Sequence, residues 1–156
     1  MLIRAFEPKD AGALADLFHG SVHHAAISDY SPEQVAVWSP SKPDAGRYVQ
    51  QAVGRIFLVA EGADGRIAGY GDLELNGHID HLYCRSDVVG TGVGSAIYAA
   101  LESAAIDAGI AILFVEASEG ARRLFERRGF TMDSRNDLTI NGVAIHNHRM
   151  SKSLTR

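Results

Sequence analysis

Asp87-Val88-Val89-Gly90-Thr91-Gly92-Val93-Gly94-Ser95-Ala96-Ile97-Tyr98-Ala99-Ala100-Leu101 places three alternating glycines directly before a helical apolar pattern. Glycines let the backbone turn tightly and bring successive N–H groups close to an anion. The helix that follows adds unpaired amides and the positive end of its dipole, so the segment suits a phosphate, and a pyrophosphate best. Val93, Ile97, Leu101, Ala104 and Ala108 form one apolar face, and Gly109 ends the helix. A tight strand-to-helix turn without a ligand would use the same glycines. A P-loop would need Gly-Lys-Ser/Thr, and no lysine occurs between Lys42 and Lys152. A dinucleotide fingerprint fits better, with Gly90-Thr91-Gly92 as its first two glycines and Glu116 near the place of a ribose-binding acid. Ser95 stands at its third glycine, however, and too little chain follows for the remaining parallel βαβ units.

Upstream of the loop, Ile3–Phe6 reads as a strand, and Pro8 opens a helix with Ala11, Leu14, Leu17 and Phe18 at helical spacing. Ser31-Pro32 predicts an N-cap and a first helical proline for a short helix through Trp38, and Asp44 a cap for another through about Ala52. Ile56–Ala60, Ile67–Leu75 and His78–Cys84 then form a meander, with Asn76-Gly77 as a hairpin turn. Downstream, Ala111–Val115 has the apolar run of a strand buried on both faces, and Ser118 caps a helix from Glu119 to Arg128. Two last strands, near Thr131–Ile140 and Ala144–Ser151, flank Asn141-Gly142. The order β-α-α-β-β-β-α-β-α-β-β describes a mixed α/β domain.

One domain is expected over residues 1–156, since no repeat or linker interrupts the chain. Hydrophobic residues at 46% and charged residues at 22% describe a globular chain rather than a disordered one. A net charge of −4 argues against a nucleic-acid binder that relies on bulk positive charge. No apolar run approaches the roughly 18 residues of a membrane span, and Leu2-Ile3 gives way at once to Arg4 and Glu7. Cys84 is the lone cysteine, which fits a reducing, cytoplasmic setting without disulfides.

Two segments together resemble a known family. Val89-Gly90-Thr91-Gly92-Val93-Gly94 is similar to the Arg/Gln-x-x-Gly-x-Gly/Ala signature of GNAT N-acetyltransferases, with Val89 in the first position. Val115-Glu116-Ala117-Ser118 followed by Ala121 through Gly129-Phe130 resembles the family's second signature, and the element order resembles the family's over essentially the whole chain. The resemblance implies the GNAT fold, a mixed, mostly antiparallel sheet flanked by helices. It also implies acetyl-CoA as co-substrate, with its pyrophosphate held by the amides of Val89, Gly90, Thr91, Gly92, Val93, Gly94 and Ser95. Leu82, Tyr83 and Cys84 would line the pantetheine arm on a strand that splays from its neighbour. Ser118, Phe125 and Arg128 join that set, Arg128 as a reach toward a CoA phosphate. Arg85 or Thr91 would stand in for the side chain that Val89 lacks.

Acetyl transfer to an amine needs a base, donors to the thioester carbonyl and an acid for the leaving thiolate. Many relatives use a tyrosine as that acid, and Phe125 occupies its position here. Tyr83, Tyr98 or Tyr30 would serve instead, or the thiolate would leave unassisted or take a proton through water. Period-2 alternation puts His78, Asp80 and Leu82 on one strand face. A histidine, with an ordinary pKa of about 6.5, suits a base, and Asp80 would orient it or act through water. Glu74, across the Asn76-Gly77 turn, is a third candidate. Tyr30 and Trp38 would line the amine acceptor's pocket or pack the early helices. A non-catalytic acyl-CoA-binding module and a nucleotide-binding oxidoreductase are the competing classes. Dimers are common among similar proteins, so a homodimer is an expectation of the resemblance. No metal is expected: His146 and His148 share a strand face, but no cysteine or His-Glu-x-x-His spacing accompanies them.

Overall fold

The computed structural model describes residues 1–154. The first strand, β1 (Leu2–Ala5), leads through a 3-10 turn at Pro8–Asp10 into α1 (Ala11–His24), so the proline opens the turn and the helix proper starts at Ala11. Next come α2 (Pro32–Trp38) and α3 (Gly46–Gln51), then β2 (Ile56–Glu61) and β3 (Ile67–Leu73). The expected Ser31 cap is present: its side chain accepts from the Gln34 N–H at 3.1 Å, and Gln34 Oε1 accepts from the Ser31 N–H at 2.9 Å.

The strand expected over 78–84 is divided. β4 (His78–Ile79) pairs in parallel with β6 (Ile112–Ala117), whereas β5 (Leu82–Cys84) pairs antiparallel with β3. Two four-stranded sheets result, ordered β1-β2-β3-β5 and β4-β6-β8-β7, the latter completed by β7 (Thr131–Ile140) and β8 (Val143–Ser153). Only Asp80 and His81 separate β4 from β5, so the chain steps from one sheet to the other there. The step contains an extra residue: Asp72 N–H bonds His81 O at 3.0 Å, while Glu74 N–H bonds His78 O at 2.8 Å. Leu73 thus faces two residues, Ile79 and Asp80, as in a β-bulge, which breaks the simple alternation.

Helices cover the first sheet on both faces. α4 (Val93–Asp107) packs Ile97 and Leu101 on one side, where Gly71 is required: a Cβ there would lie 2.9 Å from Ile97 and 3.1 Å from Leu101. The buried face of α4 is Val93, Ile97, Tyr98, Leu101 and Ala105, so Ala104 and Ala108 fall off the expected stripe toward solvent. α1 buries Leu14, Phe18 and Val22 against the opposite face. Each such large apolar side chain contributes about 1.5–3 kcal/mol by leaving water. α5 (Glu119–Arg127) closes the second sheet, with Ser118 accepting from the Ala121 N–H at 3.3 Å. β6 is not buried on both faces. Leu113, Val115 and Ala117 enter the core, while Glu116 on the other face is exposed.

Candidate active site

β5 is an edge strand whose far side turns away from β6. The bonds from Asp72 N–H to His81 O and from Arg85 N–H to Ala68 O set which residues pair with β3. By antiparallel alternation, the backbone groups of Leu82 and Cys84 face the open edge, and Tyr83 offers its side chain instead. A groove of about 520 Å³ runs along this edge, lined by Leu82, Tyr83 and Cys84, by the glycine loop, and by Ser118, Ala121, Arg123 and Arg127. Burial pushes the Cys84 thiol up to about 11, so it stays protonated and inert.

Gly90 and Gly92 hold φ of +83° and +94°, which coils the loop onto the N-terminus of α4. Among the described residues, the amides of Val89, Gly90, Gly92, Val93, Gly94 and Ser95 have no backbone acceptor. Thr91 is the exception: its N–H and its hydroxyl both bond Val88 O, closing the turn from within. Arg85 is held by Asp87 at 2.6 Å, and the Arg128 guanidinium donates to Ser95 O at 3.3 Å, bracing α4 against the end of α5. Arg123 and Arg127 line the groove, and Arg128 does not.

A chamber of about 170 Å³ adjoins the groove, sharing Tyr30, Trp38, Leu82, Tyr83, Ser118 and Ala121 with it. Phe125, 1% exposed, lines the chamber and packs edge-on against Tyr98 and Phe130. Beyond lies a pocket of about 280 Å³ bordered by Phe18, Arg47, His78, Asp80, His81 and Glu116, with Trp38 and Tyr83 common to all three cavities.

His78 stands at the head of this pocket, its ring stacked on Phe114. Nδ1 lies 2.7 Å from Glu74 and Nε2 3.2 Å from Glu116, so the imidazole bridges two carboxylates. Asp80 accepts from Arg55 at 2.7 Å. Burial opposes its ionisation, but that bond and the fields of His81 and His78 outweigh burial and hold the carboxyl below its usual range. Behind it, fully buried Asp72 accepts from Gln51, Arg55 and the His81 N–H. His81 meets Tyr70 OH at 3.1 Å, and burial lowers its affinity for a proton. Burial likewise holds the Tyr83 phenol well above its ordinary range, against the pull of the Trp38 indole.

The Tyr30 hydroxyl donates to His146 O at 3.0 Å and accepts from the Glu119 N–H at 3.1 Å, and its ring meets Trp38 edge-on. Tyr98 is tied to Glu102. Tyr30 and Tyr98 thus have committed hydroxyls. Glu119, His146 and His148 form a compact cluster in which one carboxylate oxygen meets His146 at 2.7 Å and His148 at 2.6 Å. Those bonds pull Glu119 down to about 2. The Arg122 guanidinium lies 3.5 Å from His148 and 3.7 Å from Glu119.

His78, Asp80 and Glu74 are therefore brought together, with Trp38 beside them. His81, Arg55 and Glu119 join the site region without having been singled out, and Glu116, weighed in the sequence only as a ribose-binding acid and a signature residue, joins it beside His78. Glu116 arrives through the parallel pairing of β4 with β6, and the bulge turns His81 inward. Neither leaves a local signal.

The acetyltransferase (GNAT) domain family matches residues 26–154. A GCN5-related N-acetyltransferase from Rhodopseudomonas palustris is 35% identical, with 98% of this chain and 95% of that one covered and a TM-score of 0.89. YncA, a putative acetyltransferase from Salmonella typhimurium solved with acetyl-CoA, is 21% identical over 100% of this chain and 95% of its own, at a TM-score of 0.76. The PaiA N-acetyltransferase of Thermoplasma acidophilum, solved with coenzyme A, is 18% identical over 97% and 98%, at 0.78. A search of curated proteins gives no match. An edge strand split from its parallel neighbour, with a glycine loop at its end, is an acyltransferase architecture; the chain belongs to the GNAT acetyltransferase family.

Proposed function

We propose that the protein transfers the acetyl group of acetyl-CoA to a primary amine in a ternary complex, without an acyl-enzyme. The observation that carries this reading is the open edge of β5 leading to six unpaired loop amides. Those amides take the pyrophosphate, and the backbone groups of Leu82 and Cys84 take the pantetheine arm. The solved YncA and PaiA complexes support the same cofactor for this fold. Ser118 and Tyr83 flank the thioester, and Phe125 walls the acyl end.

The bound ammonium gives its proton to the Glu116 carboxylate, which passes it to His78 Nε2, and the imidazolium so formed is bracketed by Glu74 and Glu116. Asp80 stays ionised against Arg55 and draws the ammonium in. The neutral nitrogen attacks the thioester carbonyl, a C–N bond replaces the C–S bond, and the thiolate leaves. Phe125 has no proton to give. Tyr83 holds its proton too firmly to transfer it fully, so it stabilises the thiolate by hydrogen bonding while water protonates it. Tyr30 and Trp38 wall the acceptor.

Thiol release measured over a panel of amines tests this reading. Activity that disappears in a His78→Ala/Asp80→Asn variant supports it, and full activity in both single variants and the double removes these residues from the mechanism. A second reading, an acyl-CoA-binding module without catalysis, draws on Phe125 and Val89. Acetyl-CoA binding without thiol release on any amine would favour it.

A further inference from the structure

The 280 Å³ pocket carries charges of both signs, and one of them is unmatched. Arg55 is spent on Asp72, Asp80 and Glu74, at 2.9, 2.7 and 3.9 Å. Arg47, on α3, lines the same pocket. Among the described residues it has no carboxylate within ion-pair distance and donates no side-chain hydrogen bond. Its guanidinium instead lies 5.6 Å from the Phe18 ring centre and 5.8 Å from that of Tyr48. Such contacts orient the guanidinium while leaving its N–H fork free, the arrangement that suits a planar carboxylate. The same pocket is also lined by Asp80 and Glu116, which suit an ammonium. A simple monoamine would answer the carboxylates and leave Arg47 without a partner. An amine that carries its own carboxylate answers both charges.

We infer that the acceptor is a small amino-carboxylate, with its amine at His78, Asp80 and Glu116 and its carboxylate on Arg47. This rests on the transfer reading given above. It also separates substrate classes, because the N-terminal amine of a protein has no neighbouring free carboxylate.

Matched pairs test it: amino acids against their carboxamides, assayed by thiol release with saturating acetyl-CoA. The inference expects kcat/KM for the acid to exceed that for its amide by about 10-fold or more, the scale of one hydrogen-bonded charge. In Arg47→Gln that ratio falls to about one, chiefly through KM for the acid, and Arg47→Lys restores part of it. Stabilisation by acetyl-CoA in each variant shows that the fold and donor site persist. Equal use of acids and amides overturns the inference, as does an Arg47→Gln variant that keeps the preference or loses both substrates equally. Failure of every amine to react sinks the transfer reading instead. Calorimetric binding of the same pairs to the CoA complex then decides this one: acid preference lost in Arg47→Gln upholds it, and no preference or no binding overturns it.

Discussion

His78 and Phe114 stack 4.9 Å apart in parallel register, and the pairing of their strands ends one residue later. The groove and the candidate base both depend on that short parallel contact. It begins at Gly77, whose carbonyl accepts the Phe114 N–H at 3.0 Å. A Cβ on Gly77 would lie 2.1 Å from Ile112 O, and φ there is +100°. Gly77→Ala should therefore cost more than 2 kcal/mol and lower Tm by at least about 5 °C. Gly65→Ala, at φ +79° with open space around it, should cost only about 1 kcal/mol. Thermal denaturation of the pair checks this; equal losses would mean that the close approach of Gly77 to β6 has no energetic weight.

Asp72 supports the bulge from inside. Its carboxylate accepts from Gln51, Arg55 and the His81 N–H, so Asp72→Asn weakens the Arg55 pair and places an amide N–H₂ opposite donors. Stability should fall by about 3–5 kcal/mol, as for other broken buried ion pairs. Urea denaturation measures this, and a loss below about 1 kcal/mol would contradict the buried pairing.

Much of the frame was legible in the sequence because its signals are local. The glycine loop and the Ser31 and Ser118 caps each use neighbouring residues and formed where expected, whereas the turn before His78 closes one residue earlier than Asn76-Gly77 predicts, its Gly77 N–H bonding Glu74 O. The division of the 78–84 strand was not legible. His78-Ile79-Asp80-His81-Leu82 reads as one alternating run, and its bulge is set by Asp72, nine residues away from His81. Glu116 and Glu119 reach their partners only through tertiary contacts 38 and 27 residues distant along the chain. The cap of α3 likewise fell at Ala45, with Asp44 bonding the Gly46 N–H from one residue earlier.

Glu119 gives the protein an acid-sensitive clamp. Hydrogen bonds from His148 and His146 lower its carboxyl from 4.5 to about 2, against burial. The unfolded chain then binds the proton more readily, so the stabilisation is complete above pH 4.5 and lost as pH falls toward about 2. Its size is on the order of 1–3 kcal/mol. Glu119→Gln should be less stable than the parent at about pH 6, with the gap closing toward about pH 2.5. A gap that does not change with pH would show that the clamp is not electrostatic.

Glu116 separates the His78 relay from simple polarity. If it stabilises the imidazolium, Glu116→Gln should lower kcat by about 10-fold or more and leave the acetyl-CoA KM unchanged, while His78→Ala costs about 10²–10⁴ in kcat/KM. Steady-state thiol release measures both. Unaltered kcat in Glu116→Gln would remove it from the relay.

The claim beneath all of these is that the open edge of β5 and the amides from Val89 to Ser95 form an acyl-CoA site. Thermal denaturation with acetyl-CoA, CoA or NAD tests it most directly. At about 100 times Kd, a ligand of the folded state adds about 2.7 kcal/mol, or roughly 5–10 °C for a chain of this size. Acetyl-CoA and CoA should both raise Tm on that scale and NAD should not; no shift with either CoA species, or a shift with NAD alone, would contradict the claim.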